Sequence, residues 1–153
     1  MTPEQAIEIQ LVGEGGEPLP LSGVHFYLLF FTSGRWRYTF AVGPTDGSGK
    51  AAVDYATLEN ERVENGKTAL MDYNTKLEDC DREVKIHVLT GEDLEKQLNS
   101  ARMWYPNTIP EVESKIAHSN NLKIECEDVV VDLRDGMTKA LVTCREIGDS
   151  ILF

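Results

Sequence analysis

Residues 23–55 constrain the fold of this chain more than any other stretch. They read GVHFYLLFF, TSG, RWRYTFAV, GPTDGSG and KAAVDY in succession. The longer runs are apolar or alternate apolar with polar residues, and the interruptions carry glycine, which is typical of strands joined by tight turns. The stretch therefore predicts three strands of an antiparallel β-sheet.

The strand predicted over residues 24–31 is apolar on both of its faces. A strand of this kind is usually central and covered on two sides. Its second cover is predicted to be either helices of the same chain or another subunit. In the next strand, Trp36, Tyr38 and Phe40 alternate with polar residues. We expect these three aromatic side chains to share one face and to fix the register by cross-strand pairs.

Period-two alternation predicts further strands along the chain, over residues 5–12, 67–73, 84–88, 122–126, 129–133 and 138–144. The apolar positions change from even to odd numbers at Glu127 and Asp128, so we predict a bulge or break there. Asp135 and Gly136 stand between two alternating runs and predict a hairpin.

Two helices are predicted between these groups of strands. Residues 92–104 place Leu94, Leu98, Ala101 and Trp104 at helical spacing, and Thr90 with Asp93 forms a capping-box pattern. Residues 109–117 follow a second such pattern at Thr108 and Glu111. Residues 56–65 fit either a short helix that ends before Gly66 or a polar loop.

These elements predict one domain over residues 1–153 of the mainly-β, α+β class. We expect an antiparallel two-layer β-sandwich of seven or eight strands. The two-helix insertion over residues 91–118 is expected to cover one face or one end of the sandwich.

Charge and cysteine content narrow the function classes. The net charge is −11, and binding to nucleic acid or anionic lipid needs clustered Lys and Arg. We therefore expect neither as a partner. The N-terminus lacks the pattern of a signal peptide, and the apolar runs are too short for a membrane helix. The odd count of Cys80, Cys126 and Cys144 predicts free thiols in a reducing, cytoplasmic environment, with a Cys126–Cys144 bridge as the alternative.

The segments GVHFYLL and GPTDGSGKAAVDY resemble those of prealbumin-like sandwiches such as the carboxypeptidase regulatory-like domains. The matching positions are Gly23, Val24, Thr45, Asp46, Gly49, Lys50 and Val53. The resemblance covers roughly residues 5–55 and implies that the TDGSGK turn closes a hairpin at one end of a sandwich. It implies a scaffolding, adhesion or ligand-holding role, and the helical insertion departs from it.

The residue patterns that carry catalysis or metal binding are not found in the sequence. The three histidines form no HxH or HxxxH pair, and no CxxC, GxSxG or EF-hand spacing occurs. Cys80 lies between Asp79 and Asp81, whose negative charges disfavour a reactive thiolate. We therefore expect no metal, no cofactor and no catalytic residue. The acidic pattern at Asp46 is expected to cap its own turn.

Two aromatic groups are the candidate binding residues. The first is Trp36 and Tyr38 with the neighbouring Arg35 and Arg37, which could form a stacking platform for a sugar or peptide, although strand aromatics more often pack in the core. The second is the end of the first predicted helix, where Trp104 and Tyr105 could anchor a partner. Of the two roles for Trp104, we expect packing onto the sheet.

Three functions remain open from the sequence. The first is a non-enzymatic module that binds a protein or self-associates into an oligomer through its apolar faces. The second is a domain that binds a small ligand or carbohydrate through Trp36, Tyr38 or Trp104. The third is a small enzyme with a site between the helices and the sheet, using His87 or Glu95 with Tyr105.

Overall fold

The structure, a computed structural model, describes residues 1–32, 34–66 and 76–147. Within these ranges the chain forms eight strands and three α-helices. The strands are β1 (Gln5–Val12), β2 (Phe26–Thr32), β3 (Arg35–Val42), β4 (Lys50–Asp54), β5 (Glu83–Val88), β6 (Ile124–Cys126), β7 (Val129–Asp132) and β8 (Gly136–Glu146). The helices are α1 (Tyr55–Gly66), α2 (Gly91–Trp104) and α3 (Ile109–Leu122).

The strands form two sheets of four. The first sheet has the order β4-β1-β8-β6 and the second has the order β3-β2-β5-β7. β2 is therefore an internal strand, as its two apolar faces predicted. The expectation of antiparallel pairing throughout is wrong, because β1 pairs with β8 in parallel. These strands come from opposite ends of the described chain, so no short turn fixes their relative direction.

Side chains from both sheets and from α1 form one hydrophobic cluster. Alternate residues are buried along β5 and in the first half of β1, as the period-two pattern predicted, whereas the last four residues of β1 are all buried. The larger side chains that are almost or wholly inaccessible to solvent in this cluster are Ile7, Ile9, Leu11, Phe26, Leu28, Phe30, Phe40, Leu58, Leu77, Ile86 and Leu133. Phe30 and Phe40 meet edge to face, with ring centroids 5.7 Å apart.

The predicted break at Glu127 and Asp128 is confirmed, and it is the point where the chain leaves one sheet for the other. β6 pairs with β8 in the first sheet, whereas β7 pairs with β5 in the second. The hairpin predicted at Asp135 and Gly136 is wrong for the same reason, since β7 and β8 lie in different sheets. Gly136 still makes the turn with a positive φ of 84°.

The TDGSGK turn likewise joins the two sheets, since β3 and β4 belong to different ones, and so does not close the hairpin that the resemblance implied. Asp46 caps this turn as predicted. Its Oδ1 accepts hydrogen bonds from the amides of Ser48 and Lys50 at 2.9 and 3.1 Å. Thr45 is buried, and its hydroxyl donates to the carbonyl of Leu21.

The ambiguous segment after β4 is a helix. Asp54 accepts a hydrogen bond from the amide of Thr57 in the first turn, and Leu58 is fully buried. The strand predicted over residues 67–73 and the apolar tail 148–153 lie outside the described residues.

The predicted helical pair is present as α2 and α3, between β5 and β6. Thr90 and Asp93 form the predicted capping box of α2, and both of its hydrogen bonds are present. The second predicted box is wrong, because the Thr108 hydroxyl donates to the carbonyl of Tyr105 and does not cap α3. α3 also continues to Leu122, beyond the predicted residue 117.

The helical pair covers part of the outer face of the second sheet. Gln97 of α2 lies 3.5 Å from the hydroxyl of Tyr27 on β2. The outward residues of β2 are half-buried while its inward residues are buried. The second cover of this strand is therefore provided in part by helices of the same chain.

Candidate functional site

The end of α2 presents three adjacent large apolar side chains to solvent. Met103, Trp104 and Tyr105 are 71%, 56% and 36% exposed. The buried stripe of α2 consists of Leu94, Leu98 and Ala101 and stops one turn earlier. We call these three residues the 103–105 patch. The preferred expectation that Trp104 packs onto the sheet is wrong.

The patch lies where the helical hairpin turns. Tyr105 leaves the helical conformation with φ −136° and ψ 59°, and Pro106 begins a 3₁₀ turn that leads into α3. Because the helix ends at Trp104, it has no further turn along which the buried stripe could continue. Both side chains of the second sequence candidate, Trp104 and Tyr105, are thus brought together at one surface.

The first sequence candidate does not form the expected single aromatic face. A register shift between Phe30 and Phe31 makes Trp36 the partner of Phe31, whereas Tyr38 is the partner of Phe30. Because of this shift, Trp36 and Phe40 lie on different faces of the sheet.

Trp36 already has two neighbours on the outer face of the second sheet. Its ring meets Phe31 edge to face, with ring centroids 5.0 Å apart. The ammonium of Lys85 lies 5.4 Å from the Trp36 centroid, at cation–π distance. The side chains of Arg35, Arg37 and Tyr38 lie outside the described part of the structure.

His87 on β5 is held between two carboxylates. Its Nδ1 lies 2.6 Å from Asp128 Oδ1, and its Nε2 lies 2.6 Å from Asp93 Oδ2. Burial lowers the pKa of His87, but the hydrogen bonds to Asp128 and Asp93 outweigh burial and raise it. A protonated imidazole donates from both nitrogens, so this arrangement joins β5 to the start of α2 and to the residue before β7.

The same geometry bears on the enzymatic hypothesis. Both ring nitrogens of His87 are occupied by carboxylates, so neither is placed to accept a proton from a substrate. Glu95 and Tyr105 are exposed, and neither forms a hydrogen bond or ion pair with His87 within the described part of the chain.

The cysteine prediction is corrected in one respect. Cys126 on β6 and Cys144 on β8 are directly opposed in register and form a disulfide. The expected free thiols at these positions are therefore wrong. Cys80 is a free, buried thiol, and burial is the main cause of its raised pKa.

A cavity of about 400 Å³ lies between the α2–α3 hairpin and the ends of β2, β5 and β6. Its apolar wall includes Val24, Val88, Leu89 and Leu94, all of which are buried. Its polar lining includes His25, Thr90, Lys115, Ser119 and Asn120. This volume lies within the usual range for small-molecule sites.

His25 and Lys115 both line the cavity, and the lysine gives that part of it a positive charge. Burial lowers the pKa of His25, and the charges of Lys115 and His118 lower it further, against a smaller raising effect of Glu111. His118 Nε2 donates to the carbonyl of Ser22 at 3.0 Å. The charge of His118 thus acts on His25 although the sequence separates the two residues widely.

Gly23 is what permits this approach of α3 to the start of β2. Its φ is +80°, and a Cβ atom there would lie 2.1 Å from His118 Nε2. Only glycine fits both conditions, since other residues disfavour this φ and have no room for the side chain.

The sequence held no local signal for the cavity. Its lining comes from four separate stretches, residues 23–25, 88–94, 115–126 and 147. In the described ranges, no three His, Cys, Asp or Glu side chains are grouped so as to hold a metal ion. None of the helices in those ranges is both long and apolar enough to cross a lipid bilayer.

The chain matches no protein-family model, and no curated protein or solved structure matches it with statistical significance. The prealbumin-like relationship stays a prediction.

Proposed function

We propose that this chain is a non-enzymatic interaction module that binds a protein partner through the 103–105 patch. The observation that carries the proposal is the joint exposure of Met103, Trp104 and Tyr105 at one helix end. Scattered single apolar residues on a surface need no explanation, whereas Trp and Tyr are the residues most enriched among the anchors of protein interfaces.

The chemistry of the three side chains suits an anchor. Trp and Tyr bury a large apolar area with few rotatable bonds, and Met adapts its shape to an irregular pocket. The patch also stands on a helix whose first turn is fixed by the Thr90–Asp93 capping box. A rigid support lowers the entropy that is lost on binding.

The proposed occupant is a partner surface with an apolar cleft and a basic rim. The chain carries a net charge of −11, and interfaces arrange opposite charges to speed association and exclude wrong partners. In this proposal the two sheets pack face to face as a sandwich that serves as the scaffold.

The Cys126–Cys144 disulfide favours an oxidising compartment, against the cytoplasmic location predicted from the cysteine count.

The test is a selection of random peptides displayed on a surface, carried out against the wild-type protein. Selected peptides should combine aromatic or aliphatic residues with Lys or Arg. Their affinity should fall roughly 30-fold on Trp104→Ser, the effect of losing one interface hot spot. Leu141→Ser is the matched control, because Leu141 on β8 is 58% exposed and should not affect binding.

Two results would overturn the proposal. One is a selection that enriches no peptide, or only peptides that bind Trp104→Ser as tightly as wild type. The other is a wild-type dimer in sedimentation velocity that Trp104→Ser dissociates, since the patch would then be occupied by a second copy of this chain.

A further inference from the structure

The cavity between the helical hairpin and the sheets is a second feature of the surface, separate from the 103–105 patch. Its wall is apolar on the side of Val24, Val88 and Leu94, each no more than 9% exposed. Polar side chains enter from α3, at Lys115, Ser119 and Asn120. An apolar wall with a few converging polar groups is the usual design of a small-molecule site.

Lys115 is the group that most restricts the class of ligand. Its side chain is only 19% exposed, so most of its length is packed against the protein. The Nζ atom lies 3.6 Å from Glu111 Oε1, which is longer than a hydrogen bond, and the Glu111 side chain is 68% exposed. Among the described residues, this long pair is the only ion pair of Lys115.

A lysine that lines a cavity and forms only such a long ion pair is placed to bind an anion inside the cavity. The charges of the lining agree with this, because Lys115 lines the cavity while Glu125, the acidic residue of the lining, pairs with Arg145. The site therefore has positive character in a protein of net charge −11.

We infer that this cavity binds a small organic carboxylate with an apolar body, whose carboxylate pairs with Lys115 and whose body packs against Val24, Val88 and Leu94. A purely inorganic anion would leave the apolar wall without a contact. A neutral apolar molecule would leave Lys115 with only its long pair to Glu111.

His25 is placed to assist the same ligand. Lys115, His118 and Glu111 of α3 are the charged groups that act on its imidazole. A bound carboxylate adds a negative charge beside His25 and would favour its protonated form. Carboxylate affinity should therefore increase as the pH falls from neutral through the range in which His25 takes up a proton.

The test is isothermal titration of the intact protein with hexanoate and phenylacetate. Their amides, hexanamide and phenylacetamide, and inorganic phosphate serve as matched probes. The carboxylates should bind about tenfold or more tightly than their amides, the usual worth of a hydrogen bond to a charged group. Lys115→Met should remove that difference. Lys96→Met is the control, because Lys96 on α2 is 74% exposed and forms a similar long pair with Glu92 at 3.7 Å.

A second variant tests whether the apolar body of the ligand occupies the cavity, and it leaves the charge of Lys115 unchanged. Ser119→Phe places a ring in the cavity from α3 and should abolish binding of both carboxylates. Trp104→Ser should leave carboxylate binding unchanged, so that failure of this site and failure of the 103–105 patch are distinguishable.

Three outcomes would overturn the inference. They are no binding of either carboxylate at millimolar concentration, equal binding of carboxylates and amides, and binding of phosphate as tight as that of the carboxylates. Far-UV circular dichroism and thermal unfolding of each variant would show that a lost affinity is not lost folding.

Discussion

Replacement of His87 by glutamine should destabilise this protein at low pH and have much less effect at high pH. His87 connects three elements, because its ring nitrogens reach Asp93 in the first turn of α2 and Asp128 immediately before β7. Glutamine can donate from its amide to one carboxylate, but it carries no charge and cannot reach both in the geometry of the imidazole ring.

The expected magnitude follows from the two hydrogen bonds. A hydrogen bond to a charged group contributes about 1.5–3 kcal/mol. The His87 side chain is 29% exposed and that of Asp128 is 42% exposed, so solvent weakens both interactions. We therefore expect a loss of about 2 kcal/mol for the pair, toward the low end of that range. For a chain of this length it lowers Tm by about 4–8 °C.

The sign of the pH dependence follows from the raised pKa of His87. The folded state binds this proton more tightly than the unfolded chain, in which the pKa of histidine is about 6.5. The stabilisation is complete below that unfolded value and is lost as the pH rises through the folded-state pKa. Burial alone would raise the pKa of Asp93, but hydrogen bonds from Thr90 and His87 lower it, so Asp93 stays ionised throughout this window.

Urea unfolding followed by circular dichroism, from about pH 5.5 to about pH 9, measures the effect. The difference in free energy of unfolding between wild type and His87→Gln should shrink as the pH rises. Asp128→Asn should show a smaller loss with the same trend, because Asp93 still holds His87. A difference that stays constant or grows with pH would refute the reasoning.

Two further predictions concern covalent and local structure. When the protein is unfolded without reductant, a colorimetric assay should find one reactive thiol per chain, that of Cys80, and three reactive thiols would contradict the disulfide. Cys144→Ser should lower the free energy of unfolding by about 3 kcal/mol, the loss expected for a loop of this length. Thr90→Ala removes the capping box of α2 and should lower the free energy of unfolding in urea by about 1 kcal/mol. Thr108→Ala removes no helix cap and should lower it clearly less. Equal losses for the two variants would contradict the assignment of the cap to Thr90 alone.

Local features of this fold were predictable because each is encoded within a few neighbouring residues. The alternation in β5 and in the first half of β1 follows from the pleat, which sends successive side chains to opposite faces. The start of α2 follows from Thr90 and Asp93, whose side chains satisfy amides that the helix leaves free. The break at Glu127 was predictable because the apolar positions change there from even to odd residue numbers, which cannot occur within one regular strand.

Strand pairing was less predictable, because it depends on contacts between distant residues. The segments around Asp46 and Asp135 look like hairpin turns, yet each joins strands of different sheets. The parallel pair of β1 and β8 has no local signature at all. The register shift in β3 near Trp36 is also invisible in the sequence, because the residues there alternate as they would in a regular strand. The sequence therefore predicted the wrong face of the sheet for Trp36.

The two proposed sites differ in how far the sequence reveals them. Trp104 and Tyr105 were candidates from the sequence, but the helical spacing of Trp104 from Leu98 and Ala101 favoured its burial, and the structure shows that the helix ends there with Trp104 exposed. The carboxylate cavity needed the fold, because Gly23 brings His118 and α3 against the start of β2 from almost a hundred residues away.

Trp104 fluorescence tests the central claim most directly. In a Trp36→Phe variant, Trp104 is the single tryptophan that remains of the two in the chain. Its emission should be that of a water-exposed indole, readily quenched by acrylamide, and should shift to shorter wavelength with loss of quenching when a selected peptide binds. An emission already blue-shifted and shielded from acrylamide in the free protein would contradict the account.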